Sequence, residues 1–173
     1  MMRKRLFKNR QPLRGLGTAS VRTCAILTAA ILIVAAFMAP MASAQASDIP
    51  AAQRINPAEL VKILQSSQGK KPLMIDVGSH VLFQQAHIPG SEYIGPASSG
   101  DGLQQLRKRV ATLPRSRFIV IYCGCCPWTH CPNVKPANDA LHELGFRNVK
   151  VLYIADNFGT DWVNKGYPVA TGD

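Results

Sequence analysis

The amino-acid sequence predicts an α/β fold built on an open parallel sheet. Three short apolar runs suit buried strands, at residues 73–77, 118–122 and 149–153. Segments with helical apolar spacing precede the first run and separate the successive runs. Strands that alternate with helices form parallel sheets through right-handed crossovers, because each helix returns the chain to the edge from which it started.

The first predicted helix begins after Asn56. Asn56 suits the N-cap, Pro57 suits the first helical position, and Glu59 occupies the capping-box position. An apolar stripe follows at helical spacing, and we expect the helix to end at Gly69.

Smaller elements follow the first strand. We expect a short helix at residues 81–85, a turn set by Pro89-Gly90, and a brief strand at residues 93–94. A longer helix is predicted over residues 103–113, and its basic triplet at residues 107–109 suits a solvated outer face.

The clearest strand is the run at residues 118–122, which is apolar throughout, as expected of a strand covered on both faces. A helix over residues 137–144 comes later and ends at Gly145. The residues between them therefore form a loop that leaves the carboxyl end of this strand.

The first 44 residues predict a cleavable secretory signal. Basic residues spread over positions 3–22, an apolar run covers residues 24–38, and Ala42-Ser43-Ala44 matches the cleavage pattern. The apolar run has 15 residues, whereas roughly 20 span a bilayer, which argues against an uncleaved anchor. We therefore expect a signal at residues 1–44, a linker at residues 45–54 and one periplasmic domain at residues 55–173, with membrane contact only before cleavage.

The net charge of +10 belongs mostly to that signal segment. Seven of the twenty basic residues lie within residues 1–44, whereas all ten acidic residues follow them, so the remainder carries only +3. A charge this small lacks the basic footprint of a nucleic-acid-binding protein. We expect no nucleic-acid partner.

Four of the five cysteines lie within residues 123–131. Dispersed cysteines would suggest a disulfide framework, whereas four in one loop suggest a site. Cys123 directly follows the clearest strand, and ligands bind beyond the carboxyl ends of strands in open α/β sheets. Unpaired N–H groups at the start of the next helix favour anions, so we expect a lowered pKa for the Cys123 thiol and a stabilised persulfide on it.

Five motifs occur in order along residues 55–169: residues 73–77, Phe83 with Ala86-His87-Ile88-Pro89-Gly90-Ser91, residues 119–123, residues 144–149, and Trp162 with Lys165-Gly166-Tyr167-Pro168-Val169. With these motifs the chain resembles the rhodanese-like domain family. The resemblance implies an open five-stranded parallel sheet with helices on both faces. It also implies that Cys123 accepts sulfur from a donor such as thiosulfate and passes it to a thiol or cyanide acceptor, without a cofactor.

The loop after Cys123 departs from the family pattern. Its candidate site residues are Gly124, Cys125, Cys126, Pro127, Trp128, Thr129, His130 and Cys131. The loop is longer than is usual in the family and contains no arginine, and Gly78 stands where the family often has one. A dianion such as thiosulfate is therefore not held by a bidentate guanidinium. Lys135 is the only lysine or arginine within residues 124–136. We expect Lys135 and Asp76 to support the site.

Three interpretations of the extra cysteines stay open. In the first, Cys126 and Cys131 form a disulfide that pins the loop, as the oxidising periplasm favours. In the second, Cys123 pairs with Cys126 or Cys125, and the neighbouring thiol resolves a persulfide. In the third, the thiols and His130 bind zinc or copper, which thiolates favour, although the spacing matches no standard zinc module and we assign no metal ligand.

The leading hypothesis is a periplasmic sulfurtransferase or persulfide carrier that uses Cys123. Its partners would be a small sulfur donor and a thiol or cyanide acceptor. The alternative is a non-catalytic accessory protein that binds metal or exchanges thiols through residues 123–131 and serves another exported protein.

Overall fold

The computed structural model describes residues 48–173, which contain one five-stranded sheet. Its strands are β1 (Arg54–Ile55), β2 (Leu73–Asp76), β3 (Glu92–Tyr93), β4 (Ile119–Tyr122) and β5 (Val149–Leu152). The order across the sheet is β1-β5-β4-β2-β3, and every neighbouring pair is parallel. The predicted open, parallel, five-stranded α/β fold is confirmed.

Five α-helices and three short 3-10 helices lie within the described residues. The α-helices are α1 (Pro57–Gln65), α2 (His80–Gln85), α3 (Gly100–Val110), α4 (Val134–Glu143) and α5 (Phe158–Asp161). The 3-10 helices are Ala51–Gln53, Trp128–His130 and Val163–Lys165. Helix α1 begins after Asn56 with Pro57 at its start, as predicted, but it ends earlier than Gly69 because the backbone at Ser66 is extended.

Both faces of the sheet are buried, as the apolar run in β4 predicts. Ile119 and Ile121 belong to the core that α3 and α4 cover. Val120 and Tyr122 belong to the opposite core, beneath α1 and α5. Because successive strand residues point to opposite faces, a doubly covered strand needs apolar residues at every position.

The predicted linker at residues 45–54 is wrong over residues 48–54. Ile49 is only 2% exposed and belongs to the core, and Arg54 begins β1. The Arg54 guanidinium donates a hydrogen bond of 2.8 Å from Nε to the Ile49 carbonyl. The polar, alanine-rich composition hid this segment because only one of its side chains enters the core.

The predicted signal at residues 1–44 lies outside the described residues. Within residues 48–173, no helix is long and apolar enough to cross a bilayer. The signal, its cleavage and the periplasmic location stay predictions.

Candidate functional site

Cys123 lies at the carboxyl end of β4, beside the end of β2. Asp76, the last residue of β2, pairs with Tyr122 in the parallel register, so the segment after β2 passes over the cysteine. A Cβ atom at Gly78 would lie 3.0 Å from the Cys123 Sγ and 3.1 Å from the Asp76 Oδ1. A side chain at this position would press on both atoms.

The thiols of the loop form a compact sulfur cluster. The Cys123 and Cys125 Sγ atoms are 3.2 Å apart, and those of Cys125 and Cys126 are 2.9 Å apart. The Asn133 Nδ2 donates to the Cys123 Sγ at 3.4 Å and faces the Cys125 Sγ at 3.9 Å. Cys131 is buried and hydrogen-bonds to Cys123 as well.

The predicted Cys126–Cys131 disulfide is not present. All four cysteines within residues 48–173 are free thiols. Cys131 faces Cys123 and the first amides of α4, whereas Cys126 contacts Cys125. The loop thus directs the two residues to different neighbours, and the Cys123–Cys125 and Cys125–Cys126 sulfur pairs are 3.2 and 2.9 Å apart.

The backbone amides of the site point at Cys125 and Cys131. A hydrogen bond from Cys123 lowers the pKa of Cys131 to about 7, and the N–H groups of Asn133 and Val134 act in the same direction. A hydrogen bond from Cys123 likewise lowers the pKa of Cys125 to about 6, with help from the amides of Ser79 and Cys125. Thiolates are favoured at both positions, because hydrogen bonds to the charged form stabilise it.

The predicted lowering of the Cys123 pKa is therefore wrong. Cys123 lies between Cys125 and Cys131, and the hydrogen bonds that its thiol makes to them raise its pKa, as does its burial. Its side chain is only 3% exposed, and it packs in the core on the α4 face of the sheet. Burial also raises the pKa of Cys126, to about 12.

Asp76 lies at the edge of the cluster and is 4% exposed. Its Oδ1 accepts a hydrogen bond of 2.7 Å from the Gly78 amide. Burial raises the pKa of the Asp76 carboxyl to about 7, and the nearby thiolates add to the effect. Through the bond to Gly78, Asp76 holds the segment that follows β2.

A cavity of about 290 Å³ opens beside the cluster. Cys125 is the cysteine that lines it, together with Asp76, Ser79, Leu82, Gln85, Ala86, Gly124, Asn157, Phe158, Gly159 and Val163. No lysine or arginine belongs to this described lining. A larger cavity of about 360 Å³ lies beside α1 and holds no cysteine.

Four of the remaining loop residues lie in or beside the short 3-10 helix. Trp128 is buried and packs on Tyr153, with a ring-centroid distance of 5.0 Å, and its amide donates to the Ala155 carbonyl. Pro127 precedes the 3-10 helix, and the Thr129 Oγ1 bonds to the His130 Nδ1 at 2.8 Å on the exposed side.

Two predicted residues have other partners. Among the described residues, the group that could hold a metal ion consists of Cys123, Cys125 and Cys126, and His130 does not belong to it. The Lys135 Nζ pairs with Asp139 on the next turn of α4 at 2.6 Å, and Lys135 does not line the cavity. The supporting cation predicted at Lys135 is therefore engaged with a carboxylate along its own helix.

Asn133 and Phe158 belong to the site although sequence reasoning missed them. The buried Asn133 accepts a hydrogen bond from the Ser98 amide at 3.0 Å while its Nδ2 faces the thiols. Phe158 closes the cavity against Gly124, where a Cβ atom would lie 2.8 Å away. The one available signal was the position of Asn133 directly before a helix, where asparagine is a common cap.

Comparisons with known proteins agree with this architecture. Residues 56–153 match the family model of the rhodanese-like domain. The chain is similar to the Alr3790 protein from Anabaena sp., with 19% identity, 68% of this chain and 82% of that chain covered, and a TM-score of 0.52. It is also similar to the BH2092 protein from Bacillus halodurans, with 23% identity, coverage of 68% and 76%, and a TM-score of 0.50. No curated protein matches the chain in sequence.

Proposed function

Because the chain belongs to the rhodanese-like domain family, we propose that it is a periplasmic sulfurtransferase that carries sulfane sulfur as a persulfide on Cys123. The observation that carries this proposal is the position of Cys123 at the carboxyl end of β4, among three further thiols and behind a cavity. Ligands bind at this edge of open α/β sheets.

The surroundings of Cys123 suit a bound sulfur atom. A persulfide extends the side chain by about 2 Å, the length of an S–S bond. Its outer sulfur is anionic, and the Asn133 Nδ2 and the amides that face Cys125 and Cys131 are donors within the same cluster. The buried position protects the persulfide from bulk solvent, as a carrier requires.

The proposed reaction needs a donor such as thiosulfate or a small persulfide, and an acceptor thiol or cyanide. The outer sulfur of the donor moves to the protein and the rest of the donor leaves. The acceptor later takes that sulfur and returns the protein to its thiol form, so no external oxidant or reductant is consumed.

A loading and delivery assay tests the proposal. The protein is incubated with donor, freed of donor by desalting, and mixed with cyanide or an acceptor thiol. Wild type should deliver one sulfur atom per chain, and Cys123→Ser should deliver less than about a tenth of that. Equal delivery by wild type and variant would overturn the carrier role of Cys123.

A second candidate function rests on the proximity of three sulfur atoms. The Sγ atoms of Cys123, Cys125 and Cys126 all lie within 4.8 Å of one another, a separation at which they can share one soft cation such as zinc or copper(I). Elemental analysis of protein purified without chelator distinguishes the two functions. Stoichiometric metal together with no sulfur delivery would favour a metal-binding accessory protein.

A further inference from the structure

We infer that Cys125 is a second catalytic thiol, which meets the sulfur donor in the cavity and passes the sulfur to Cys123. This inference rests on the proposed function and assigns the first covalent step to a residue other than the carrier. It follows from a conflict in the structure: the residue best placed to store sulfur is not the one that a solute can reach.

The exposure of the two thiols separates their tasks. Cys123 is 3% exposed, and it does not belong to the lining of the cavity. Cys125 is half-buried and lines the cavity of about 290 Å³. A donor that enters this cavity therefore encounters the Cys125 Sγ first.

The contacts of Cys125 suit an attacking thiolate. The amides of Ser79 and of Cys125 itself donate to its sulfur. Its Sγ lies 3.2 Å from the Cys123 Sγ, so a sulfur atom bonded to Cys125 at about 2 Å stays within reach of Cys123.

The two transfers balance without an external redox partner. The Cys125 thiolate attacks the outer sulfur of the donor, a new S–S bond forms, and the donor's own S–S bond breaks to release its thiolate, or sulfite from thiosulfate. The Cys123 sulfur then attacks the outer sulfur of the Cys125 persulfide. The Cys123–sulfur bond forms as the Cys125–sulfur bond breaks, and the proton of Cys123 moves to Cys125.

Cys126 and Cys131 do not meet the same requirements. Cys131 is buried at the start of α4, and Cys126 contacts Cys125 but is absent from the cavity lining. Cys126 is itself part of the sulfur cluster, so the control for Cys125 is Val81, whose side chain is 62% exposed and lies outside the cavity lining.

The test follows the rate at which a persulfide donor loads Cys123, by acid quench, alkylation and peptide mass. Cys125→Ser should slow this loading on the order of 100-fold, whereas Val81→Ser, on the exposed side of α2, should stay within about threefold of wild type. Rapid quenching of Cys123→Ser should show sulfur on Cys125, which is lost before desalting is complete.

Each outcome separates the two proposals. If Cys125→Ser loads Cys123 as fast as wild type, or if no sulfur reaches Cys125 in quenched Cys123→Ser, the relay is overturned while the carrier role of Cys123 stands. If wild type takes up no sulfur on any cysteine, the proposed function fails, and the relay fails with it.

Discussion

At the scale of single residues, Gly78 is a position where a side chain would press on the site. Gly78→Ala places a methyl group 3.0 Å from the Cys123 Sγ and 3.1 Å from the Asp76 Oδ1. Overpacking of this kind lowers the free energy of unfolding by about 1–3 kcal/mol, and it should also slow sulfur loading. Thermal unfolding and the loading assay measure the two effects.

Gly100→Ala is the control for that substitution. Gly100 is the first residue of α3, and a Cβ atom there would have no neighbour within 4 Å. We expect this variant to match or slightly exceed the stability of wild type, because alanine favours the helix. Equal behaviour of the two alanine variants would contradict the account of Gly78.

The raised pKa of Asp76 predicts that the free energy of unfolding falls as the pH rises, whereas most carboxyl groups have the opposite effect. The pKa of this carboxyl is raised to about 7 in the folded protein, so the folded state binds a proton that the unfolded state has already released. Its contribution to stability is complete below the unfolded pKa and is lost as the pH rises toward 7. From about pH 4 to 5, below the range in which Cys125 and Cys131 titrate, the loss should amount to about 1 kcal/mol.

Denaturant unfolding of wild type and Asp76→Asn at these two pH values measures the effect. The amide of the variant keeps an oxygen that can accept the Gly78 N–H, but it does not titrate. The variant should therefore lack most of the decline. A decline of the same size in both proteins would show that Asp76 is not its source.

Single residues also show where sequence reasoning reaches its limit. The position of Cys123 after an apolar strand could be predicted, because strand ends follow from periodicity. Which cysteine accepts the amide hydrogen bonds could not be predicted. This depends on loop torsions, which place the amides of Asn133 and Val134 against Cys131 and not against Cys123. The pKa of Cys123 was assigned the wrong direction for that reason.

At the scale of elements, helix α2 forms part of the wall of the cavity. It contributes Leu82 and Gln85 to a lining without lysine or arginine among the described residues. A dianion gains no charge-assisted hydrogen bond there, so we expect a small neutral or monoanionic persulfide to load the protein faster than thiosulfate does.

Gln85→Lys tests this expectation by placing a cation at the cavity. The ratio of the loading rate with thiosulfate to that with an organic persulfide should rise by about three- to tenfold. Val81→Lys adds the same charge to an exposed position of α2 outside the lining, and it should leave the ratio near that of wild type. An equal rise in both variants would indicate a general charge effect.

The elements themselves were largely predictable from periodicity. The strands β2, β4 and β5 and the helices α1, α3 and α4 occur where the sequence predicts them, with boundaries that shift by a few residues. Strand β1 was missed because its two residues, Arg54 and Ile55, are too few to show an alternating apolar pattern. Its place is set by pairing with β5, which is information from outside the segment.

At the scale of the whole molecule, the segment before β1 is part of the folded domain. Ile49 is 2% exposed and belongs to the same core as Cys123. Ile49→Ala should therefore lower the free energy of unfolding by about 2–4 kcal/mol, which denaturant titration measures. Val169→Ala, at a side chain that is 43% exposed, should change it by less than about 0.5 kcal/mol. A negligible effect of Ile49→Ala would restore the linker interpretation.

The central claim for the molecule is that Cys123 stores the transferred sulfur. The most direct measurement is to load the wild-type protein with a persulfide donor, desalt it, alkylate it, and locate the retained sulfur by peptide mass. The account predicts one additional sulfur atom, found on Cys123 and removed by cyanide. Retained sulfur on another cysteine with Cys123 unmodified, or no retained sulfur at all, would contradict it.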